Sequence, residues 1–267
     1  MPGFCIRVYG IKMENTYEAF KKEFNKLTGI NLSFYKERQM KRRIDSFMQG
    51  RGYHDYVKFF VFLSANHEAL DQFIEYTTIN VSEFFRNPEQ WEYLEKEIIP
   101  KLSGHTKIRI WSAACSTGDE PYTLAMLFLK YFPRTKFSIL ATDIDEKAIE
   151  TAKAGIYLKK SIANVPKEYQ QYFTKTENGR YAIAPEIRRC VNFKKHNLFS
   201  DEYPVNVNLL VCRNVLIYFT EEKKDEIFRQ YYKSLTRGGV LFLGNTEQVV
   251  NYKDIGYTRI ASFFYEK

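Results

Sequence analysis

The sequence predicts an α/β protein: an open sheet with a nucleoside-type loop, preceded by a helical domain and interrupted by a small antiparallel β insertion. Three observations carry this. Residues 108–122 read IRIWSAACSTGDEPY. An apolar β-prone run (Ile108, Ile110, Trp111) breaks into small residues (Ser112, Ala113, Ala114, Ser116, Thr117, Gly118), and Asp119, Glu120 and Pro121 then open the helical pattern YTLAMLFLKYF. Strand, tight loop and helix is how open α/β sheets present backbone to a nucleotide-like ligand. About twenty residues on, FSILATDID gives a second strand ending in Asp143, with Asp145 close by, and an acid at that distance suits a ribose diol. Finally, residues 15–80 show helical periodicity without strand-like alternation, so a helical domain precedes the sheet. GxGxxG and GxxxxGK[ST] are both absent, which removes the usual dinucleotide and ATP fingerprints.

The elements follow in order. Residues 1–12 read as a tail or upstream extension, since the helical pattern starts just after Met13. In the first helix Tyr17, Phe20, Phe24 and Leu27 share a face, and Gly29 is its stop. A second helix is expected from about Ser33 to Met48, a third over HDYVKFFVFL and a fourth over HEALDQFIEYTTI. The second carries Lys36, Arg38, Lys41, Arg42 and Arg43, with Arg38, Lys41 and Arg42 on neighbouring positions of one face. That pattern fits a solvated surface or a docking face for an acidic helix or phosphates. NVSEFFRN joins the domains, which places the helical domain at 13–87 and the α/β domain at 88–267. Pro88 starts a helix to Ile99; strand 108–112, helix 120–131, strand 137–142 and helix 145–154 follow.

After Gly155 the rhythm changes. Asn178-Gly179 sits between alternating apolar runs, as in a hairpin, so residues 157–194 read as a β insertion, with Val191 and Phe193 on a strand rejoining the main sheet. NVNLLVCRNVLIYF gives a strand ending near Cys212, then a helix over 221–235 and the strand GVLFLG. YTRIASFFYEK closes the chain as one alternating, antiparallel strand.

Composition narrows the function. The 267 residues, 45% hydrophobic and 16% aromatic, support a sizeable core. No apolar run approaches the ~20 residues of a membrane span. Cys5, Cys115, Cys190 and Cys212 are far apart, with no CxxC and no histidines at metal-ligand spacing, so they read as reduced thiols of a cytoplasmic protein. Burial is favoured over nucleophilic chemistry for Cys115 and Cys212. The net charge of +8 favours an acidic partner, whether nucleic acid, an anionic membrane surface or an acidic protein.

NVSEFFRN, IRIWSAACSTGDEPYTLA, ATDID, HNLF and CRNVLIYF, in this order, resemble the chemotaxis receptor methyltransferases, the CheR family. The likeness runs from about residue 14 to 265, and the segment from Tyr35 to Arg86 looks closest to members from Gram-positive chemotaxis systems. The resemblance implies a Rossmann-like seven-stranded S-adenosylmethionine-dependent methyltransferase sheet with a small β subdomain, and protein-glutamate O-methyltransferase activity releasing S-adenosylhomocysteine. It implies that Asn80, Ser82 and Arg86 lie near the methionine end of the cofactor and the reaction centre. Ala113 and Asp119 match the loop after the first strand, and Asp143 the acid on the ribose hydroxyls. Asn197 and Leu198 match positions around the adenine, and Asn214 and Val215 the end of the fourth strand. The departure is Asp119, where relatives usually carry glutamate; the lost methylene loosens or water-bridges a bond to the cofactor's amino group.

The residues agree with such chemistry. A glutamate carboxylate, with a reference pKa of ~4.3, is already ionised at neutral pH and needs no general base to attack an electrophilic methyl group. In-line positioning and desolvation suffice, and positioning of that kind supplies ~7–11 kcal/mol. Arg86 is the candidate for steering the substrate carboxylate, since a guanidinium matches it bidentately. Tyr218, after the CRNV strand end, is placed to contact the substrate edge; core packing beside Phe219 is the competing role. No [DNS]-P-P-[YFW] stretch follows the fourth strand, which argues against amine methylation of nucleic-acid bases. The expected partners are acidic helical cytoplasmic domains of chemoreceptors, docked through Arg38, Lys41 and Arg42, with no nucleic acid and no membrane insertion. A methyltransferase acting on RNA or a small-molecule acid is the alternative; a non-catalytic scaffold and a nucleotide-dependent oxidoreductase fit less well.

Overall fold

The computed structural model describes residues 5–8, 11–78 and 82–267. They fall into two compact units, one of residues 1–79 with 218–223, the other of residues 80–217 with 224–267.

The first unit opens with the strands β1 (Cys5–Val8) and β2 (Ile11–Glu14), paired antiparallel. Four helices follow: α1 (Tyr17–Thr28), α2 (Glu37–Gln49), α3 (Tyr56–Ala65) and α4 (His67–Thr78). Thr16 caps α1 by accepting a hydrogen bond from the Ala19 amide at 3.2 Å, as an N-cap hydroxyl should. Phe20, Phe24, Phe59 and Phe73 are fully buried and meet edge-on or offset at centroid distances of 5.3–6.0 Å. Leu27, expected on the same apolar stripe, is instead 42% exposed. It lies in the last turn of α1, just before the left-handed Gly29 turns the chain away.

The start of α2 also departs from expectation. Ser33 lies in a short 3₁₀ turn (Leu32–Phe34), Tyr35 is extended, and the α-helix begins only at Glu37. The cause is long-range: Tyr35 forms an antiparallel bridge with Phe219. Backbone pairing at 34–36 overrides a helical propensity that would otherwise reach back to Ser33.

The second unit holds the sheet. Its strands are β3 (Ile108–Ala113), β4 (Phe137–Asp143), β8 (Val191–Lys195), β9 (Val207–Cys212), β10 (Leu235–Leu243), β11 (Thr258–Ala261) and β12 (Phe264–Glu266), ordered β11-β12-β10-β9-β3-β4-β8. The five strands from β10 to β8 run parallel, and β12 is antiparallel to β10. From β3 the chain proceeds outward through β4 to β8, then returns to β9 on the other side of β3. The switch point lies between β3 and β9, where open α/β sheets bind ligands at the carboxyl ends of the strands.

The predicted single C-terminal strand is two, β11 and β12, paired with each other. Burial of Phe264, stacked at 4.3 Å on Phe242 of β10, sets the register of β12 and leaves a turn at residues 262–263. The helices α5 (Pro88–Tyr93), α6 (Asp119–Tyr131), α7 (Glu146–Ala154), α9 (Glu221–Ser234) and α10 (Tyr252–Ile255) complete the fold around the sheet. The expected insertion is a separate three-stranded sheet in the order β5-β7-β6: β5 (Ile156–Tyr157), β6 (Phe173–Lys175) and β7 (Tyr181–Ile183). The Asn178-Gly179 turn joins β6 and β7, and the short helix α8 (Pro185–Arg188) leads to β8, which rejoins the main sheet as expected. No helix among the described residues is long and apolar enough to cross a membrane, and no cluster of potential metal ligands occurs among them.

Candidate active site

The site begins where β3 runs out. Ala114, Ser116 and Gly118 have φ of +61°, +48° and +90°, so the backbone alternates into the left-handed region. Such conformations cost energy for residues other than glycine and persist only when neighbours over-determine them. They are held here by three bonds: Cys115 amide to the Thr142 carbonyl (2.9 Å), Ser116 amide to Asp143 Oδ2 (2.7 Å), and Tyr157 hydroxyl to the Thr117 carbonyl (2.8 Å). Gly118 has a steric reason as well, since a Cβ there would lie 2.8 Å from that of Ala152.

Asp143 therefore does local work. Its Oδ1 accepts from the Asp145 amide at 2.9 Å, while Asp145 itself caps α7. Burial pushes the Asp143 pKa up to about 6, against the backbone amides of Asp145, Ser116 and Ile144, which pull it down. Asp119, in the first turn of α6, behaves alike. Burial raises its pKa to about 6, while the hydroxyls of Thr117 (2.6 Å from Oδ2) and Ser82 pull it down. Asp119 Oδ1 and Ser116 Oγ are buried without a closed hydrogen bond in the protein, an unusual and costly state for polar atoms. Ser116 sits in the loop that the sheet topology marks for a ligand, and Asp119 opens the helix that follows it.

Two further segments converge on the switch point. Phe85 and Asn87 are left-handed (φ +52° and +59°), and the Arg86 carbonyl between them accepts from Trp91 Nε1 at 2.9 Å and Arg213 Nη2 at 2.6 Å. Arg213, next after β9, also donates to Gln90 (2.7 Å) and Asn87 (3.3 Å). Its guanidinium lies 4.9 Å from the ring centroids of both Trp91 and Phe242, and 3.8 Å from Glu120. Burial lifts the Glu120 pKa to about 7, opposed by Arg213 and by a 2.8 Å bond from Ser112. The left-handed Asn214 (φ +61°) follows, and Glu247 shapes its turn. Glu247 Oε2 accepts from the amides of Asn214 (2.8 Å) and Gly244 (2.9 Å), and Oε1 from that of Leu216 (2.7 Å). A Cβ on Gly244 would fall 2.8 Å from both the Asn214 amide nitrogen and that Glu247 oxygen, so only glycine fits. Asn197 and Leu198 come in behind β4: the His196 amide donates to the Asp143 carbonyl (2.8 Å), Asn197 Oδ1 accepts from the Phe199 amide, and the Leu198 carbonyl accepts from Tyr203.

The structure thus gathers Ser82, Ala113, Asp119, Asp143 and Asn197 through bonded neighbours, with Arg86, Asn214 and Val215 at the adjoining end of β9. Asn80 lies outside the described residues. Tyr218 groups with the helical unit, as do Arg38, Lys41 and Arg42, all three exposed on α2. Cys115, Cys190 and Cys212 are free and buried, and burial drives the thiols of Cys115 and Cys212 well up, away from nucleophilic use. Sequence reasoning missed the roles of Arg213, Glu120 and Glu247. Arg213 stands inside the quoted CRNV motif, whereas nothing local marks Glu247.

Comparison with known proteins fits this site. The family described as "CheR methyltransferase, SAM binding domain" matches residues 80–261, and "CheR methyltransferase, all-alpha domain" matches residues 15–78. The chain belongs to the CheR methyltransferase family. It is 40% identical over 257 residues to the chemotaxis protein methyltransferase of Listeria monocytogenes, covering 96% of this chain and 98% of that one. It is 32% identical over 250 residues to that of Borreliella burgdorferi (88% of each chain), and 31% identical over 265 residues to chemotaxis protein methyltransferase 2 of Vibrio cholerae (93% and 88%).

S-adenosylmethionine is therefore the methyl donor of this CheR protein, and its residues fit that group. The unpartnered Asp119 Oδ1 and Ser116 Oγ offer acceptors at the loop, and the carboxylates of Asp119 and Asp143 suit an ammonium and a diol. The cofactor supplies an electrophilic methyl group.

One pH dependence follows. Asp119 and Asp143 ionise near pH 6 rather than at the usual 3.8. The free fold holds these protons more tightly than the unfolded chain, so they lower stability as pH rises from about 4 to 6. An ammonium or a diol is held by the ionised carboxylates, so binding of such groups runs the other way. Affinity for S-adenosylmethionine measured by calorimetry is expected to fall by about an order of magnitude between pH 7.5 and 5.5, and Asp119→Asn is expected to weaken binding and flatten the profile. A flat profile for the parent protein would refute it.

Proposed function

We propose that this CheR protein transfers the methyl group of S-adenosylmethionine to glutamate side chains of chemoreceptor cytoplasmic domains, forming methyl esters. The observation that supports it is the pinned Arg86 segment beside the cofactor loop. Its carbonyl is fixed from two sides and its neighbours are held left-handed, so the guanidinium is carried on a rigid base. An ionised glutamate needs orientation and water exclusion, not a base, and a steered carboxylate meets that need. Asn80, Ser82, Arg86, Ala113, Asp119, Asp143, Asn197, Leu198, Asn214 and Val215 are assigned to the cofactor, and Arg86 with Tyr218 to the reaction centre.

The test uses labelled S-adenosylmethionine, the purified protein and receptor cytoplasmic fragments, followed by mild base. Carboxyl methyl esters release volatile methanol; N-methyl groups do not. Volatile label that requires both receptor and protein is the expected result, and base-resistant label would move the chemistry to nitrogen.

The docking face is assigned to α2, where Arg38, Lys41 and Arg42 are exposed. Lys41 is engaged by Asp45 at 2.8 Å, whereas Arg43 lies on the Tyr76 ring at 4.6 Å and faces inward work. Arg38→Glu combined with Arg42→Glu spares the Lys41–Asp45 pair. It is expected to raise the KM for receptor about tenfold at low salt, with a smaller effect at high salt and unchanged cofactor affinity. Receptor methylation kinetics at two ionic strengths check this.

A further inference from the structure

Tyr157, in the first strand of the β insertion, touches the cofactor loop and the Arg86 segment at once. It closes β5, pairs with Tyr181 of β7 and is 4% exposed. Its hydroxyl donates to the Thr117 carbonyl at 2.8 Å, between the left-handed Ser116 and Gly118. A Cβ on Gly118 would lie 3.2 Å from that hydroxyl, so the loop is packed against the phenol as well as bonded to it. The Tyr157 ring meets the Phe84 ring edge-on, at 4.8 Å and 87°. Phe84 is fully buried and stands two residues before Arg86. The insertion holds Phe84 twice more. Phe173 of β6 lies edge-on to it at 4.9 Å, and the Ser161 carbonyl accepts from its amide at 3.1 Å.

We propose that Tyr157 is a positioning residue for methyl transfer, which sets the cofactor loop through its hydroxyl and the Arg86 segment through its ring. The inference rests on the reading of that loop as the cofactor's and of Arg86 as the group that steers the substrate carboxylate. On the loop side the basis is strain. A backbone that alternates into the left-handed region keeps its shape only while its neighbours hold it. Thr117 also carries the hydroxyl that reaches Asp119 Oδ2 at 2.6 Å, so a turned Thr117 peptide would disturb a side chain assigned to the cofactor. Burial, reinforced by the Asp119 carboxylate, drives the Tyr157 phenol well up, so its hydroxyl stays a donor. On the ring side the basis is packing. Edge-on rings in a close-packed interior leave no slack, and a displaced Tyr157 ring displaces Phe84. Phe85 and Asn87 are left-handed on either side of Arg86, so the segment has few conformations in which to absorb the shift. The insertion is thus part of the frame of the site.

Two substitutions separate the two contacts. Tyr157→Phe removes the hydroxyl and keeps the ring against Phe84. Phe84→Leu removes the ring and keeps the amide that bonds Ser161. The measurements are the Kd for S-adenosylmethionine by calorimetry, kcat for receptor methylation at saturating cofactor and the melting temperature of each variant, with Asp119→Asn and Arg86→Ala alongside. Tyr157→Phe is expected to raise the Kd about fivefold, and Phe84→Leu to lower kcat about tenfold with Kd within twofold. A merely structural role would lower the melting temperatures without dividing the variants between Kd and kcat. A Kd within twofold for Tyr157→Phe, where Asp119→Asn weakens binding, overturns the inference for the loop. A kcat within twofold for Phe84→Leu, where Arg86→Ala is impaired, overturns it for the Arg86 segment. Asp119→Asn and Arg86→Ala at the parental values overturn the reading of the site itself, and the inference with it. Should Phe84→Leu not fold, Tyr157→Leu decides, because it lacks the ring as well as the hydroxyl. A kcat threefold or more below that of Tyr157→Phe supports the ring contact, and an equal kcat overturns it.

Discussion

Replacing Arg86 with alanine is expected to lower receptor methylation by about a hundredfold or more, the scale at which a misplaced reacting group costs an enzyme. An ionised glutamate needs no acid or base, so in the proposed reaction the barrier is met by orientation, and Arg86 is carried on a segment that the fold fixes from two sides. Phe85 and Asn87 are left-handed around it, Phe85 stacks on Tyr169 at 5.2 Å, and the Arg86 carbonyl is held by Trp91 and Arg213. Arg86→Lys is the sharper variant. It keeps the charge but loses the planar fork that grips a carboxylate through two bonds. Its kcat is expected to fall nearly as far as that of the alanine variant, with a smaller change in cofactor affinity. Single-turnover rates with saturating S-adenosylmethionine and receptor check this. An Arg86→Ala enzyme within threefold of the parent would remove Arg86 from the chemistry.

Replacing Arg213 with methionine is expected to destabilise the protein by about 3–5 kcal/mol, the cost of leaving a buried ion without its partner. The Arg213 side chain is only 3% exposed, and its guanidinium lies 3.8 Å from the Glu120 carboxylate. The loss should depend on pH in a defined direction. Glu120 already ionises near pH 7 in the fold, far above its ordinary 4.5, because burial opposes its charge. Without Arg213 that value rises further. The folded variant then holds a proton that the unfolded chain releases, so its stability falls as pH increases. Urea denaturation is expected to show a larger loss at pH 8 than at pH 5.5. Glu120→Gln added to Arg213→Met should recover part of it, since the pair would show a coupling energy in a double-mutant cycle. A loss that is independent of pH, with no recovery in the double variant, would mean that packing against Trp91 and Phe242 matters and the charge pair does not.

These two effects are joined. Arg213 links the strand end to the Arg86 segment, so part of its influence on rate should come through Arg86. Glu247 plays the matching role on the other side of the same turn, holding the amides of Asn214, Leu216 and Gly244 on one buried carboxylate. Buried charges fix the backbone on both sides of this turn.

The sequence by itself determined the strand–loop–helix at 108–131, the acid at the end of β4, the β insertion with its Asn178-Gly179 turn, and the family. These are legible because they are local: a two-residue or 3.6-residue period, a turn dipeptide, a run of small residues between apolar ones. Tertiary structure decided the rest. The helix expected from Ser33 begins at Glu37 because Tyr35 pairs with Phe219, a partner that no window around Ser33 contains. The last strand became a hairpin because Phe264 had to lie on Phe242. Tyr218 joined the helical unit although its sequence neighbours close the sheet. Arg213 and Glu120 stand inside quoted motifs and Glu247 in none, and nothing in their spacing gives the structural roles of the three. Only burial makes a lone carboxylate demand three amides, or a guanidinium lie against two aromatic rings, because the cost of an unmet charge appears when water is gone.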